Sequence, residues 1–315
     1  MTTSHTPQHP SDSPQHPDAQ QAANSPQPPN APHPSAARQS RPTQQSRAET
    51  FRALHQRPGI FVIPNPWDAG SARLLEGQGF EALATTSAGL AFSLGKPDGQ
   101  GAITREETFA NIHAIIEATS LPVSADLENG YGDDPETCAQ TILMAASAGL
   151  VGGSIEDATG RSGDPIYPFE LAVARVKAAV AAARSLPFHF MLTARAENLI
   201  HGRPDLKDTI RRLEAFAEAG ADVLFAPGLK TREEIAAVIK AVAPLPVNYV
   251  SGLANPVFTL DELAALGVKR VSMGSTLARV AYGDFLRAAQ EIRQKGTFSF
   301  APGTVSYSEI NGLLK

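Results

Sequence analysis

Asp126 and Glu128 stand two residues apart in the run SADLENGYGDDPE, behind an apolar stretch and ahead of Asn129 and Gly130. At that spacing on a strand, side chains project to the same side. Related groupings recur along the chain. Glu156 and Asp157 close GLVGGSIED, Arg195 and Glu197 close HFMLTARAE, and Thr85, Thr86 and Ser87 close EALATTS, with Asp98 in the following loop. Asn65 and Asp68 close GIFVIPNPWD. Carboxylates gathered without His or Cys neighbours suit a hard cation, and Mg²⁺ takes oxygen ligands, few of them from protein, and keeps several waters. Asp126 and Glu128 are therefore expected to hold Mg²⁺, with Glu156 contributing through water. Arg195 in the same place would pair bidentately with a substrate carboxylate. A salt bridge from Arg195 to Glu156 or Glu197 is the plainer reading of that residue, and Asp68 and Asp157 read equally well as helix caps.

These groups share one end only if the elements behind them repeat. From Gly59 onward they do: eight β-rich apolar runs, from GIFVIPN to KRVSMGS, are each followed by a stretch with helical periodicity. Gly149, Gly220 and Gly267 break the helical patterns where they should end. The strand runs are almost continuously apolar, as in a parallel sheet covered by helices. Eight such units in a row predict an α/β fold, the (β/α)8 TIM barrel, over residues 49–315, whose chemistry sits at the C-terminal ends of the strands.

Residues 1–48 differ in kind. They hold ten of the 25 prolines and four of the eight histidines, with no aromatic residue, so they cannot bury enough apolar surface to offset ordering entropy. A disordered tail is expected there. It lacks the apolar core of a secretory signal. No apolar run reaches membrane-span length, and a net charge of −5 with interspersed signs gives no nucleic-acid footprint. The single Cys138 excludes an internal disulfide. A cytoplasmic location is the expectation.

The motifs together resemble the isocitrate lyase/phosphoenolpyruvate mutase superfamily. NPWDAGSARLLEGQGFEAL is similar to its opening segment, TTSAGLAFSLGKPD to its substrate loop, ADLENGYG to its Asp-Ala-Asp-Thr-Gly-Tyr/Phe-Gly, SIED to its Glu-Asp and TARAE to its Ala-Arg, in order from about Phe51 to Gly296. The resemblance implies a barrel, a homo-oligomer (dimer or tetramer) that exchanges its last helix between subunits, and Mg²⁺ beside Asp126. It implies that Thr86 and Ser87 cradle a substrate carboxylate, that Asp98, Asp126, Glu128 and Glu156 form the acidic set, and that Arg195 contacts substrate. The implied substrate is a small 2-oxo or 2-hydroxy acid, and the implied chemistry makes or breaks a bond beside a carbonyl through an enolate-like oxyanion.

Departures from the family pattern narrow the reaction. The lyases' Lys-Lys/Arg-Cys-Gly-His loop is replaced by ATGRSGDPIYP, Ala158 to Pro168, which leaves Arg161 and Ser162 as its polar candidates. The mutases' Lys-Thr-Asn-Ser stretch is absent too, while the family's decarboxylase branch also lacks the Cys loop. Glu128 replaces the usual second Asp, which leaves a direct metal contact and one through water both open. Cys138, on the helix after the third strand, reads as core. His201, in TARAENLIHGRPD, is a candidate acid or base. The expected function is a Mg²⁺-dependent lyase that breaks a C–C bond, decarboxylation included, in a small 2-oxo or 2-hydroxy dicarboxylate. The alternatives are a phosphoenolpyruvate mutase-type P–C isomerase and a non-catalytic barrel with a partner-binding tail.

Overall fold

The computed structural model describes residues 41–99, 101–252 and 257–314. Its strands are β1 (Phe61–Ile63), β2 (Leu83–Ala84), β3 (Val123–Asp126), β4 (Gly152–Glu156), β5 (Met191–Arg195), β6 (Val223–Phe225), β7 (Val247–Val250) and β8 (Arg270–Ser272). Helix α1 (Gln44–Gln56) precedes β1, and α2 (Ala69–Gly77) follows it; α3 (Ser87–Ser93) and α4 (Arg105–Ala118) follow β2. The remaining crossovers are α5 (Pro135–Ser147), α6 (Phe169–Arg184), α7 (Leu206–Glu218), α8 (Arg232–Val242) and α9 (Leu260–Leu266), and the chain ends in α10 (Thr276–Lys295) and α11 (Tyr307–Leu313).

All strand pairings are parallel, in the order β1-β8-β7-β6-β5-β4-β3-β2. The seam between β1 and β2 is bridged by the Ala84 N–H donating to the Pro64 carbonyl and by the Asn65 amide donating to the Thr85 carbonyl, both at 3.0 Å. Asn65 Oδ1 also accepts from the N–H groups of Met273 and Gly274, at 2.8 and 2.9 Å. Asn65, a candidate by its position at a strand end, thus ties β1, β2 and the end of β8 together. The (β/α)8 barrel is formed as expected.

The N-terminal end of the barrel is floored by α1. Phe51 is fully buried and clusters with Ala48, Leu54, Phe61, Ile63, Val151, Met191 and Val223, most of them at or beside strand beginnings. Burial of a Phe or Leu side chain stabilises by about 1.5–3 kcal/mol, so this helix is part of the core. Gly152 makes the room: a Cβ there would lie 2.9 Å from the Phe51 ring and 2.9 Å from the Met191 carbonyl oxygen. Residues 1–40 lie outside the described residues, but the tail boundary expected at residue 48 falls inside α1. Thr43 caps that helix, and the Gln44 side chain donates to the carbonyls of Ala146 and Leu150 at 2.6 and 2.8 Å. The polar run TQQSRAET hid a helix whose apolar face begins only at Ala48 and Phe51.

The same floor carries a titratable group. His55 packs edge-on between Phe51 and Phe61, with ring centroids at 4.8 and 4.9 Å. Its Nδ1 donates to the Phe51 carbonyl at 2.8 Å, which leaves Nε2 to accept from Arg270 Nη1 at 3.4 Å, so the ring is neutral. Burial and then the Arg270 guanidinium push its pKa down from 6.5 to about 3. Between those values the unfolded chain binds a proton that the folded chain refuses, so stability falls as pH drops through this window. The expected loss is about 2 kcal/mol by pH 5, at about 1.36 kcal/mol per unit. Urea midpoints at pH 7 and pH 5 check it: His55→Gln should flatten the pH dependence, and an unchanged slope would assign the effect elsewhere.

Candidate active site

At the opposite end of the barrel, β3 finishes at Asp126 and the chain turns sharply. Glu128 has φ 47°, Gly130 φ 77° and Tyr131 φ 62°. A non-glycine residue in the left-handed region costs on the order of 1–3 kcal/mol and persists only where its surroundings hold it. Here the Gly130 N–H donates to the Leu127 carbonyl at 2.8 Å and the Tyr131 N–H donates to Asn129 Oδ1 at 2.9 Å. Arg175 of α6, fully buried, donates to the carbonyls of Gly132 and Asp133 at 2.5 Å each, and also to that of Asn129. A Cβ at Gly130 would lie 3.0 Å from Cys138 Sγ, so Cys138 is buried packing beneath the turn, as expected.

Arg195, at the end of β5, is the centre of the site. Its Nη1 lies 2.8 Å from Asp126 Oδ1, its Nη2 3.2 Å from Glu156 Oε2 and its Nε 2.8 Å from Glu197 Oε1. The guanidinium also sits over the Phe225 ring, 5.1 Å from its centroid. Burial works to lower the Arg195 pKa, but Glu197, Glu156 and Asp126 raise it well above the usual arginine value. Ser87 approaches Asp126 from the other side, its hydroxyl donating to Oδ2 at 2.9 Å. Glu156 is held above the usual carboxylate range by burial, against the pull of Arg195 and with the push of Glu197, Asp126 and Glu128. Glu128 is pushed up to about 7 by burial and then by Asp126 and Asp98.

The structure brings together Asp126, Glu156, Arg195 and Ser87 as the strand-end pattern predicted, and adds Glu197 as a third carboxylate on the arginine. Its signal was the two-residue spacing from Arg195, and the salt bridges from Arg195 to Glu156 and Glu197, the plainer reading of that arginine, are both present. Glu128, Asp98 and His201 line the surrounding mouth, a cavity of about 610 Å³. His201 Nε2 stands 3.9 Å from Glu197 Oε2. Thr86 is a buried helix cap, its hydroxyl accepting from the Gly89 N–H at 3.2 Å. A narrower chamber of about 200 Å³, lined by Thr86, Ser87, Asp126 and Arg195, continues below.

Two expectations need correction. Arg161 is not directed at the ring: it pairs with Asp133 at 2.9 Å on the outside of the loop, which is pinned by a bridge between Ala158 and Ile166. Nor do Asp126, Glu128 and Glu156 all reach one point as direct ligands of an ion. Among the described residues no three Asp, Glu, His or Cys side chains close around one point, because the Arg195 guanidinium stands between Asp126 and Glu156. Two strand-end acids are structural. Asp68 forms a capping box with Ser71, and Asp157 accepts from the Glu197 N–H at 2.8 Å while pairing with Arg212 at 3.0 Å.

Comparison with known proteins follows the same residues. Residues 51–293 match the family described as phosphoenolpyruvate phosphomutase. The 2-methylisocitrate lyase of Escherichia coli K12 is 31% identical over 265 residues, covering 80% of this chain and 86% of the relative. A solved structure from Burkholderia cenocepacia J2315, described only as a lyase/mutase candidate, is 61% identical, with a TM-score of 0.83 over 85% of this chain and 95% of that one. A structure of oxaloacetate acetylhydrolase in complex with the inhibitor 3,3-difluorooxalacetate is 27% identical, with a TM-score of 0.76 over 85% of this chain and 92% of that one.

Proposed function

Because this chain belongs to the isocitrate lyase/phosphoenolpyruvate mutase superfamily of enzymes, we propose that it cleaves a C–C bond in a small 2-oxo or 2-hydroxy dicarboxylate, with Mg²⁺, through an enolate-like intermediate. The observation that carries this reading is one guanidinium, Arg195, held among Asp126, Glu156 and Glu197 at the end of the barrel. Glu128 and Asp98 add to the negative side. An acidic ring of this kind repels a dianionic acid unless a cation is added.

The donors fit such an ion. All are oxygens, and although Asp126 accepts from Arg195, from the Ser87 hydroxyl and N–H and from the Glu128 N–H, the two backbone contacts are long, at 3.4 and 3.3 Å, and would yield to an ion. Asp126 would be the inner contact, with Glu128 and Glu156 reached through water, the arrangement that suits Mg²⁺. When bound, Mg²⁺ supplies positive charge beside the substrate's carboxylate and 2-oxygen. Arg195 exchanges Asp126 for the substrate and opposes the negative charge that develops on the 2-oxygen, already oriented by Glu156 and Glu197. Ser87, whose hydroxyl and N–H point to Asp126, is placed to turn toward the substrate carboxylate, with Thr86 fixing the strand end behind it. Asp98, Glu156 and His201 are the candidates for proton transfer at the rim.

A mutase reading is disfavoured by the loop. A phosphoryl group in transfer needs positioned donors, and the loop's arginine is engaged with Asp133. The first test of the lyase reading is a calorimetric titration with oxalate, with and without Mg²⁺. Oxalate mimics an enolate bearing a carboxylate, and it is the product bound in another structure of oxaloacetate acetylhydrolase. Binding that requires Mg²⁺ supports the reading, and binding indifferent to Mg²⁺ removes its basis.

The reading includes self-association in the cytoplasm. Among the described residues no helix is long and apolar enough to cross a membrane. Ala278 is the one buried residue of α10, while Val280, Phe285, Leu286 and Ile292 are exposed on the same helix. A second copy of the chain would cover these side chains, which lie on more than one side of the helix, as an exchanged last helix does. Phe285→Asp should convert an oligomer to a monomer in light scattering. A wild type that is already monomeric at micromolar concentration would contradict this.

A further inference from the structure

The mouth contains a cation that neither the strand-end pattern nor the ring accounts for. Arg105 is the first residue of α4, and it lines the same 610 Å³ cavity as Glu128, Glu156 and Arg195. Positive charge is misplaced at a helix N-terminus, where the backbone dipole favours acids. The neighbouring acids do not explain its position. Glu107 is committed to the capping box with Thr104 and to Lys96 at 2.5 Å. Glu106, the one carboxylate within ion-pair range of Arg105 among the described residues, is 3.9 Å from Nε and 77% exposed. Arg105 Nε is itself buried without a hydrogen-bond partner. A buried donor left unpaired is costly, and a fork of N–H groups suits a carboxylate.

We propose that Arg105 receives the distal carboxylate of the substrate, the one remote from the 2-oxygen, and so selects dicarboxylates over monocarboxylates of the same class. This rests on the lyase reading above. The ring around Arg195 handles the carboxylate and 2-oxygen of the reacting end: its guanidinium gives up Asp126 to them and stays committed to Glu156 and Glu197. The second negative charge of a four-carbon acid must then find a cation elsewhere in the mouth. Arg105 is the other arginine lining that cavity among the described residues, and the cavity has no lysine in its lining.

The test compares two probes on the Mg²⁺-loaded full chain by calorimetry. Oxalate fills only the reacting end, while 3,3-difluorooxalacetate carries a distal carboxylate as well. Arg105→Gln should weaken 3,3-difluorooxalacetate by about 10- to 100-fold, the loss of a charge-assisted hydrogen bond, and leave oxalate unchanged. Arg105→Lys should fall between. Thermal melts of both variants should match wild type, since the one ion pair of Arg105 among the described residues is a 3.9 Å contact to the exposed Glu106. Equal weakening of both probes, or none of either, overturns the assignment of Arg105 while leaving the lyase reading standing. Failure of both probes to bind wild type overturns the two together.

Discussion

Arg195→Gln should lower turnover of the dicarboxylate substrate by about 10²–10³-fold, the loss expected when one donor to a developing oxyanion is removed. The same change should lower the stability of the metal-free protein by about 3–5 kcal/mol, because it strips the cation from a buried network and leaves its carboxylates uncompensated. Asp126, Glu156 and Glu197 lie within 3.2 Å of that guanidinium and are themselves mostly buried. Arg195→Lys keeps the charge but not the planar fork, and one ammonium cannot meet three carboxylates on three sides. It should recover most of the stability and little of the turnover. Urea denaturation paired with product formation separates the two effects. A normal midpoint in Arg195→Gln would show that the network does not support the fold.

Asp126→Asn should give the opposite balance, with turnover abolished and stability little changed, because no buried charge is left uncompensated. The variant loses an ion pair with Arg195, but Glu156 and Glu197 still hold the guanidinium. It also relieves the repulsion that Asp126 exerts on Glu128. Mg²⁺-dependent oxalate binding should weaken by about 100-fold or more, because the neutral amide removes the inner anionic contact. Glu128→Gln should weaken it less, as a contact through water would. The checks are Mg²⁺-dependent thermal shifts and oxalate titrations on both variants. If Asp126→Asn kept its Mg²⁺ response, the carboxylate would be a structural partner of Arg195 and Ser87 only.

The rhythm of strands and helices was legible because the strand runs are almost continuously apolar and several helices end at a breaker such as Gly267, which takes the left-handed cap of α9. The clustering of charged groups at the strand ends was legible because side-chain spacing fixes direction, which placed Asp126, Glu156 and Arg195 together. What spacing does not encode is distance across the barrel. That is why Arg195 was read as lying beside the carboxylates, where it in fact stands between Asp126 and Glu156. Helix α1 was missed because its first turn shares the polar composition of the preceding tail. Helix α3 was missed because TTSAGLAFSLG reads as a loop, and its cap Thr86 as a substrate contact. Arg105 was invisible for a related reason: TREE is a capping signal, and nothing in it shows that the arginine faces the mouth.

The most direct measurement is a paired ¹H and ³¹P NMR time course of the purified full chain with Mg²⁺. One arm contains oxaloacetate, malate and citrate derivatives, and the other contains phosphonopyruvate. The account predicts that at least one dicarboxylate is split into two carbon fragments, that chelation of the metal stops the reaction, and that the phosphonopyruvate phosphorus signal does not move. Conversion of phosphonopyruvate to a phosphate ester, with every dicarboxylate left intact, would contradict it and make the chain a mutase.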